Sequence, residues 1–383
     1  MRDLITERTL HPLDETLMHQ IPWTFAYAGT SDHRFYDRHW LAAVDPKGQG
    51  SFISGIAFYK NMGVADGYFC VQEGDRQHNT RFSRPLADDM QNLRMSDFEV
   101  RVVEPFKRLE ISLDGESTPV SAQLSFESSF DPYCESHYMD SRGGRIGQEI
   151  TRYDQSGYWS GWIDFGAGRL EVCDWWGFRD HSWGVRPGVG GFDRSVADPQ
   201  AKLAATPATP TLAMLHVVMT FEIGDCFVTA MCREDAAGNP TYVDGEVITK
   251  DGRHTGIRSM DFEVEFHPGT RAHRKVTARI LAEDGSEFDV EATPFLHPWA
   301  YAGTGYDGGY RDGRGLGVWR GTIAEHDVYQ LVPPNGVLMD GAPTPTGHRE
   351  QFAKMVVNGE AITGYCPVMT RGALPKYGLG END

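Results

Sequence analysis

Along most of the chain, apolar and polar residues alternate in short runs instead of recurring every three or four positions. The clearest runs are Ser51–Tyr59 (SFISGIAFY), Gly67–Gln72, Ser96–Val103, Phe106–Leu113 and Met214–Ile223 (MLHVVMTFEI). Cys226–Arg233, Met260–Phe266, Val276–Glu283 and Phe288–Ala292 follow the same pattern. A period of two puts successive side chains on opposite faces, as in a strand with one face in the core and one in solvent. Asp-Gly at Asp114, Asp244 and Asp251, and Glu-Asp-Gly at Glu283, predict tight hairpin turns between runs. Only Glu350–Val357 (EQFAKMVV) suggests helix, of one or two turns.

The stretch Gly188–Thr211 (GVGGFDRSVADPQAKLAATPATPT) breaks the pattern with Gly, Ala, Pro and Thr and no period, which predicts a loop or linker. It separates 1–187 from 212–383, two parts of similar texture. The expected fold class is therefore all-β, with two antiparallel barrels or sandwiches in tandem and few short helices. Forty-three glycines and an aromatic share of 11% fit many turns around an interior of large flat side chains.

Charge removes several function classes. With 36 basic against 54 acidic residues, the formal balance is −18, the wrong sign for a general nucleic-acid surface or for adsorption to anionic lipid. No run of about 18 apolar residues predicts a membrane-spanning helix, and MRDLITERTLHPLDE carries no basic-then-apolar signal. A cytoplasmic, reducing location is the expectation. Six cysteines without a CxxC pair suit neither a disulfide scaffold nor a zinc site. Cys226 and Cys232 would share one strand face as small buried hydrophobes.

Chemistry-bearing residues concentrate just before the linker, in Cys173–Pro187 (CDWWGFRDHSWGVRP). An Asp beside a His can orient the ring and raise its basicity, and Trp faces suit a cation or a flat apolar molecule. The same residues would also suit a buried polar knot joining two domains, with Arg179 and Asp180 as an internal ion pair.

The string Gly177-Phe178-Arg179-Asp180-His181-Ser182-Trp183-Gly184 resembles the Gly-x-x-Asp-His-Asn-Trp-Gly signature of the carotenoid 1,2-hydratase (hydroxyneurosporene synthase) superfamily. That group also contains kievitone hydratase and lipocalin-like fungal pericyclases. The resemblance implies two tandem lipocalin-like β-barrels with the signature near their join. It also implies roles in catalysis for His181 and Trp183, together with an acid on the next strand. Ser182 stands in place of the usual Asn, and that next strand (Ala213-Met214-Leu215-His216) presents His216 where the acid is expected.

The function this implies is a cofactor-independent lyase or isomerase acting on a hydrophobic isoprenoid-like or polycyclic small molecule, most concretely a hydratase. An acid would protonate a C=C bond, Trp176 and Trp183 would face the resulting cation, and a water positioned by His181 or Asp180 would capture it. Asp180, His181 and His216 are the catalytic candidates. Arg179, Trp176, Trp183, Tyr301 and Trp319 are the candidates for substrate contact. Two alternatives use the same cavity: a non-catalytic carrier of a lipid, sterol or aromatic metabolite, and a pericyclase-like cyclisation catalyst.

No cofactor is expected. Asp32–His39 (DHRFYDRH) gathers two His and two Asp, but its spacing matches no standard zinc pattern and predicts a solvated loop before the first barrel. Gly303–Gly308 spells GxGxxG without the strand before it or the helix after it that dinucleotide binding requires.

Overall fold

The computed structural model describes residues 12–15, 17–19, 22–86, 92–142, 145–191, 213–306, 310, 312, 314–344 and 350–381. Four strands open the first unit as a meander: β1 (Phe35–Val44), β2 (Gly50–Tyr59), β3 (Val64–Glu73) and β4 (Arg76–Pro85). Next come β5 (Arg94–Met95), β6 (Phe98–Glu104), β7 (Arg108–Leu113), β8 (Ser121–Ser128), β9 (Tyr133–Cys134) and β10 (Tyr138–Arg142). Two long strands, β11 (Arg145–Asp164) and β12 (Arg169–Val185), then form a hairpin that returns to pair with β1. The sheet curls on itself, and its distant strands meet at Phe82 of β4 and Phe98 of β6, whose rings stack at 5.1 Å. Inside lie Phe52 and Phe69, stacked at 5.6 Å, and Trp159 standing edge-on to Phe52 at 5.1 Å.

The second unit starts with β13 (Met214–Ile223), β14 (Cys226–Asp235), β15 (Pro240–Thr249), β16 (His254–Phe266), β17 (His273–Ala282) and β18 (Glu287–Pro294). After an excursion it resumes with β22 (Phe352–Val357), β23 (Glu360–Tyr365) and β24 (Val368–Arg371). Pairing of β13 with β14 on one side and with β23 and β24 on the other closes this barrel around Leu215, Val217, Phe221, Ile280 and Met355. The molecule is thus two large antiparallel sheets in tandem, each barrel-like.

The excursion consists of β19 (Ile323–Val332), β20 (Gly336–Met339) and β21 (Ala342–Pro343), which extend the first sheet through β4. Residues 212–383 therefore do not fold as one contiguous barrel, the simple division the linker suggested. Buried polar side chains hold the excursion down: Gln77 exchanges two 2.9 Å hydrogen bonds with the Ala300 backbone, and Arg81 Nη2 donates to Asp327 Oδ2 at 2.7 Å. Of the expected linker, Gly188–Gly191 follows β12, with Val189 bridging to Leu316, and 192–211 lies outside the described residues.

Two local expectations are corrected. Glu350–Val357 is not helical, because Ala353, Met355 and Val357 turn into the second barrel's core while Lys354 and Val356 turn outward, a period of two that packs as β22. Asp244-Gly245 is not a hairpin turn either. It lies inside β15, where Gly245 (φ +135°) passes so near the Thr229 carbonyl of β14 that a Cβ would collide with it.

One face of β1 and β12 looks into the first barrel and the other packs against the second barrel. Trp40, Trp176 and Phe178 on that second face meet Phe227, Met231, Phe352 and Tyr365. Burial on both faces is why these strands carry large apolar side chains at odd and even positions alike. Among the described residues no helix is long and apolar enough to cross a membrane.

Candidate functional site

Strand β12 carries the Gly177–Gly184 string between β1 and β11. Asp180 sits opposite Trp40 on one side and Asp154 on the other, and His181 sits opposite His39 and Tyr153. Alternation then sorts the string. Trp176, Phe178 and Asp180 face the second barrel, while Trp175, Arg179 and His181 face the first.

On the side facing the second barrel is a cavity of about 110 Å³. Its polar wall is a set of interlocked charges. Asp180 Oδ2 lies 3.5 Å from Arg152 Nε and 3.9 Å from Arg38 Nη2, and Arg152 Nη1 donates to Glu135 at 3.1 Å. Burial opposes the charge on both arginines, but the surrounding carboxyls hold them protonated, Asp180 leading for Arg38 and Glu135 for Arg152. Asp154 is 4% exposed and hydrogen-bonded to Glu135. Such a bond between two carboxyls requires a proton on one of them. Burial, reinforced by the Glu135 charge, raises Asp154 well above the usual carboxylate range, which favours Asp154 as the carboxyl that carries the proton. The apolar wall is aromatic: Phe178 stacks on Tyr365 at 5.3 Å, and Trp40 stands 5.9 Å from each of them. His216 from β13 and Tyr301 also line the cavity. Met369 forms part of its wall and also part of a wider groove of about 930 Å³, floored by Phe295, Leu296, Pro298 and Val368.

On the other face, His181 Nε2 donates to Asp37 Oδ1 at 2.7 Å, and the Tyr153 hydroxyl donates to Nδ1 at 3.2 Å. The His181 ring lies 4.1 Å from that of His39 and 5.2 Å from that of Trp183. Burial, with the adjacent His181 and Arg179, depresses the His39 pKa well below its ordinary value. Asp37 and His39 belong to β1, so the solvated loop expected over Asp32–His39 is a strand from Phe35 onward. Arg179 donates to Gln155 Oε1 at 3.0 and 2.6 Å rather than pairing with Asp180, whose side chain leaves the strand in the opposite direction.

Of the residues expected at the site, Asp180, His216 and Tyr301 come together around one cavity. His181, Trp183 and Arg179 gather on the opposite face. Trp176 is packed against Phe352 at 6.4 Å in the core between the barrels, and Trp319 is half exposed elsewhere. Sequence reasoning missed Asp154, Arg152, Glu135 and Arg38. The available signal was pairing: once β11 and β12 form a hairpin, Asp154 falls opposite Asp180.

No curated protein sequence matches the chain. Solved structures similar to it include a protein assigned as AttH from Nitrosomonas europaea, with TM-score 0.47, 13% identity, 88% of this chain and 91% of that one. Kievitone hydratase from Nectria haematococca gives TM-score 0.43 and 8% identity over 94% of this chain and 95% of that one. CghA with Sch210972 gives TM-score 0.39 and 9% identity over 87% of each chain. Residues 10–330 match the model described as "Family of unknown function (DUF8625)", and the chain belongs to that family.

Proposed function

We propose that the protein is an acid–base catalyst that hydrates a carbon–carbon double bond in a hydrophobic small molecule, with Asp154 as the proton donor. The observation that carries this reading is the Asp154–Glu135 carboxyl pair set beside the Trp40–Phe178–Tyr365 wall. Asp154 delivers its proton to one alkene carbon, and the aromatic faces stabilise positive charge on the other. A water then attacks the cation and gives up a proton to Asp180, a carboxylate held between Arg38 and Arg152. Return of that proton to Asp154 completes the cycle. His216 faces the same space and orients the water. His181 and Trp183, on the far side of β12, enter this reading as supports for β1 and β11 and not as catalytic residues.

The inner cavity has room for the reacting end of a molecule, and the groove beyond Met369 has room for its isoprenoid-like or polycyclic body. The test is incubation with a metabolite extract in oxygen-labelled water, followed by mass spectrometry of what the protein binds and releases. A product carrying the label with the wild-type protein, and the unchanged precursor with Asp154→Asn, is the expected result. An unlabelled isomer would favour cyclisation. Ligand recovered unchanged from both proteins would make the protein a carrier and end the hydratase reading.

A further inference from the structure

Two residues that line the cavity carry three buried N–H groups that the fold leaves unused. Arg38 is 4% exposed and lines the cavity; its Nη2 faces Asp180, while Nε and Nη1 have no hydrogen-bond partner. Trp40 is 3% exposed, lines the same cavity, and its Nε1 is likewise unpartnered. The rings of Tyr36 and Tyr306 lie 5.8 and 5.7 Å from the Arg38 guanidinium carbon, occupying space where acceptors could otherwise approach. Guanidinium and indole nitrogens donate and cannot accept, so only an acceptor can satisfy them. A buried donor without a partner is costly, and more so when it is charged. Two donor-only side chains with free N–H groups lining one small cavity call for an oxygen acceptor, and the Arg38 charge suits an anionic one. The unpaired Oδ1 atoms of Asp180 and Asp154 belong to the opposite requirement, a place for water or a hydroxyl.

We infer that the ligand of this cavity is an amphipathic organic anion, whose carboxylate or enolate oxygens are held by Arg38 and Trp40 while its apolar body extends past Met369 into the wider groove. This deepens the hydratase reading by naming the substrate class, and it rests on that reading only for the chemistry performed. Arg38 acts by positioning: an anion that accepts from its unpartnered N–H groups holds the neighbouring carbons of the same molecule over the Asp154–Asp180 pair.

Binding is the readout, independent of turnover. Benzoate and 4-phenylbutyrate are compared by calorimetry with benzamide and 4-phenylbutyramide on the full-length protein. The expected result is that each acid binds at least about tenfold more tightly than its amide, as a charge-assisted hydrogen bond requires. Arg38→Met removes that preference, Arg38→Lys keeps part of it, and Trp40→Phe weakens acid binding several-fold while sparing the amides. Asp154→Asn retains the preference while losing hydration, so the two readings fail separately. Equal affinity for acid and amide, an undiminished preference in folded Arg38→Met, or no binding of either acid would each overturn the inference. If Arg38→Met does not fold, the wild-type comparison and Trp40→Phe decide.

Discussion

Asp180 and His181 are adjacent in the chain and serve opposite faces of β12: Asp180 lies 3.5 Å from Arg152 at the inter-barrel cavity, and His181 bonds Asp37 at 2.7 Å on the first barrel's side. A strand cannot bring consecutive side chains to one reacting atom. His181→Gln should therefore lower stability by about 1 kcal/mol, the worth of a hydrogen bond, and leave product formation and acid binding unchanged. Thermal melts and the labelled-water assay on the same preparation check this. Loss of turnover at unchanged melting temperature would move the active centre to the His181 face.

The two glycines of the motif are fixed by close approach. A Cβ on Gly177 would lie 2.6 Å from Trp159 Nε1 and 2.8 Å from the Ala42 carbonyl. At Gly184 the backbone has φ +134°, and a Cβ would collide with the Glu149 carbonyl of β11. Gly177→Ala and Gly184→Ala should each cost on the order of 1–3 kcal/mol by overpacking, seen as a lower denaturant midpoint. Trp183→Phe, at a position 37% exposed, should cost much less. Equal midpoints for the glycine variants and the parent would show that the strands can separate at these points.

This division of labour explains how much could be read from the chain. Period-two runs such as Met214–Ile223 give their strands directly, because each has one buried face. The long hairpin β11–β12 was hidden, since 154–157 and 175–180 are buried on both faces, a condition that produces no alternation. Joining of β19–β21 to the first sheet was equally hidden, because it depends on pairing with β4 and on Gln77 and Arg81, more than 200 residues away. Asp180 and His216 were recognisable as candidates by residue type. Asp154 becomes chemically distinctive only once Glu135 and the low-dielectric cavity surround it.

Acid sensitivity should come from buried histidines. Burial lowers His273 and His78 to about 4 and puts His39 well below its ordinary value of 6.5. The unfolded chain takes up these protons as pH falls below about 6.5 and the native state does not, so it binds more protons and stability declines as pH falls toward 4. Each such group contributes a slope of up to about 1.4 kcal/mol per pH unit. His273→Gln should flatten the decline between pH 6.5 and 4 by about one group's share, measured as denaturant midpoint against pH. An unchanged slope would mean that His273 is protonated in the native state.

Asp154 has the opposite sign and ties stability to activity. Burial, and then the Glu135 charge, raise its carboxyl well above 3.8 and favour the protonated form in the fold, whereas in the unfolded chain it ionises at about that value. Above pH 4 the native state therefore holds a proton that the unfolded state has released, and this group makes stability fall as pH rises toward its native pKa. Asn matches Asp in size, and its amide N–H can still donate to Glu135, but it has no proton to release. Asp154→Asn should thus equal or exceed the parent in stability at pH 7, lose the falling limb that Asp154 contributes, and form no labelled product. A more stable, inactive protein is the signature of a group kept protonated for catalysis at a cost to the fold. Melting temperatures of parent and variant between pH 5 and 8 decide the matter. A variant less stable than the parent across that range would show that Asp154 is ionised in the fold, and would remove it as the proton donor.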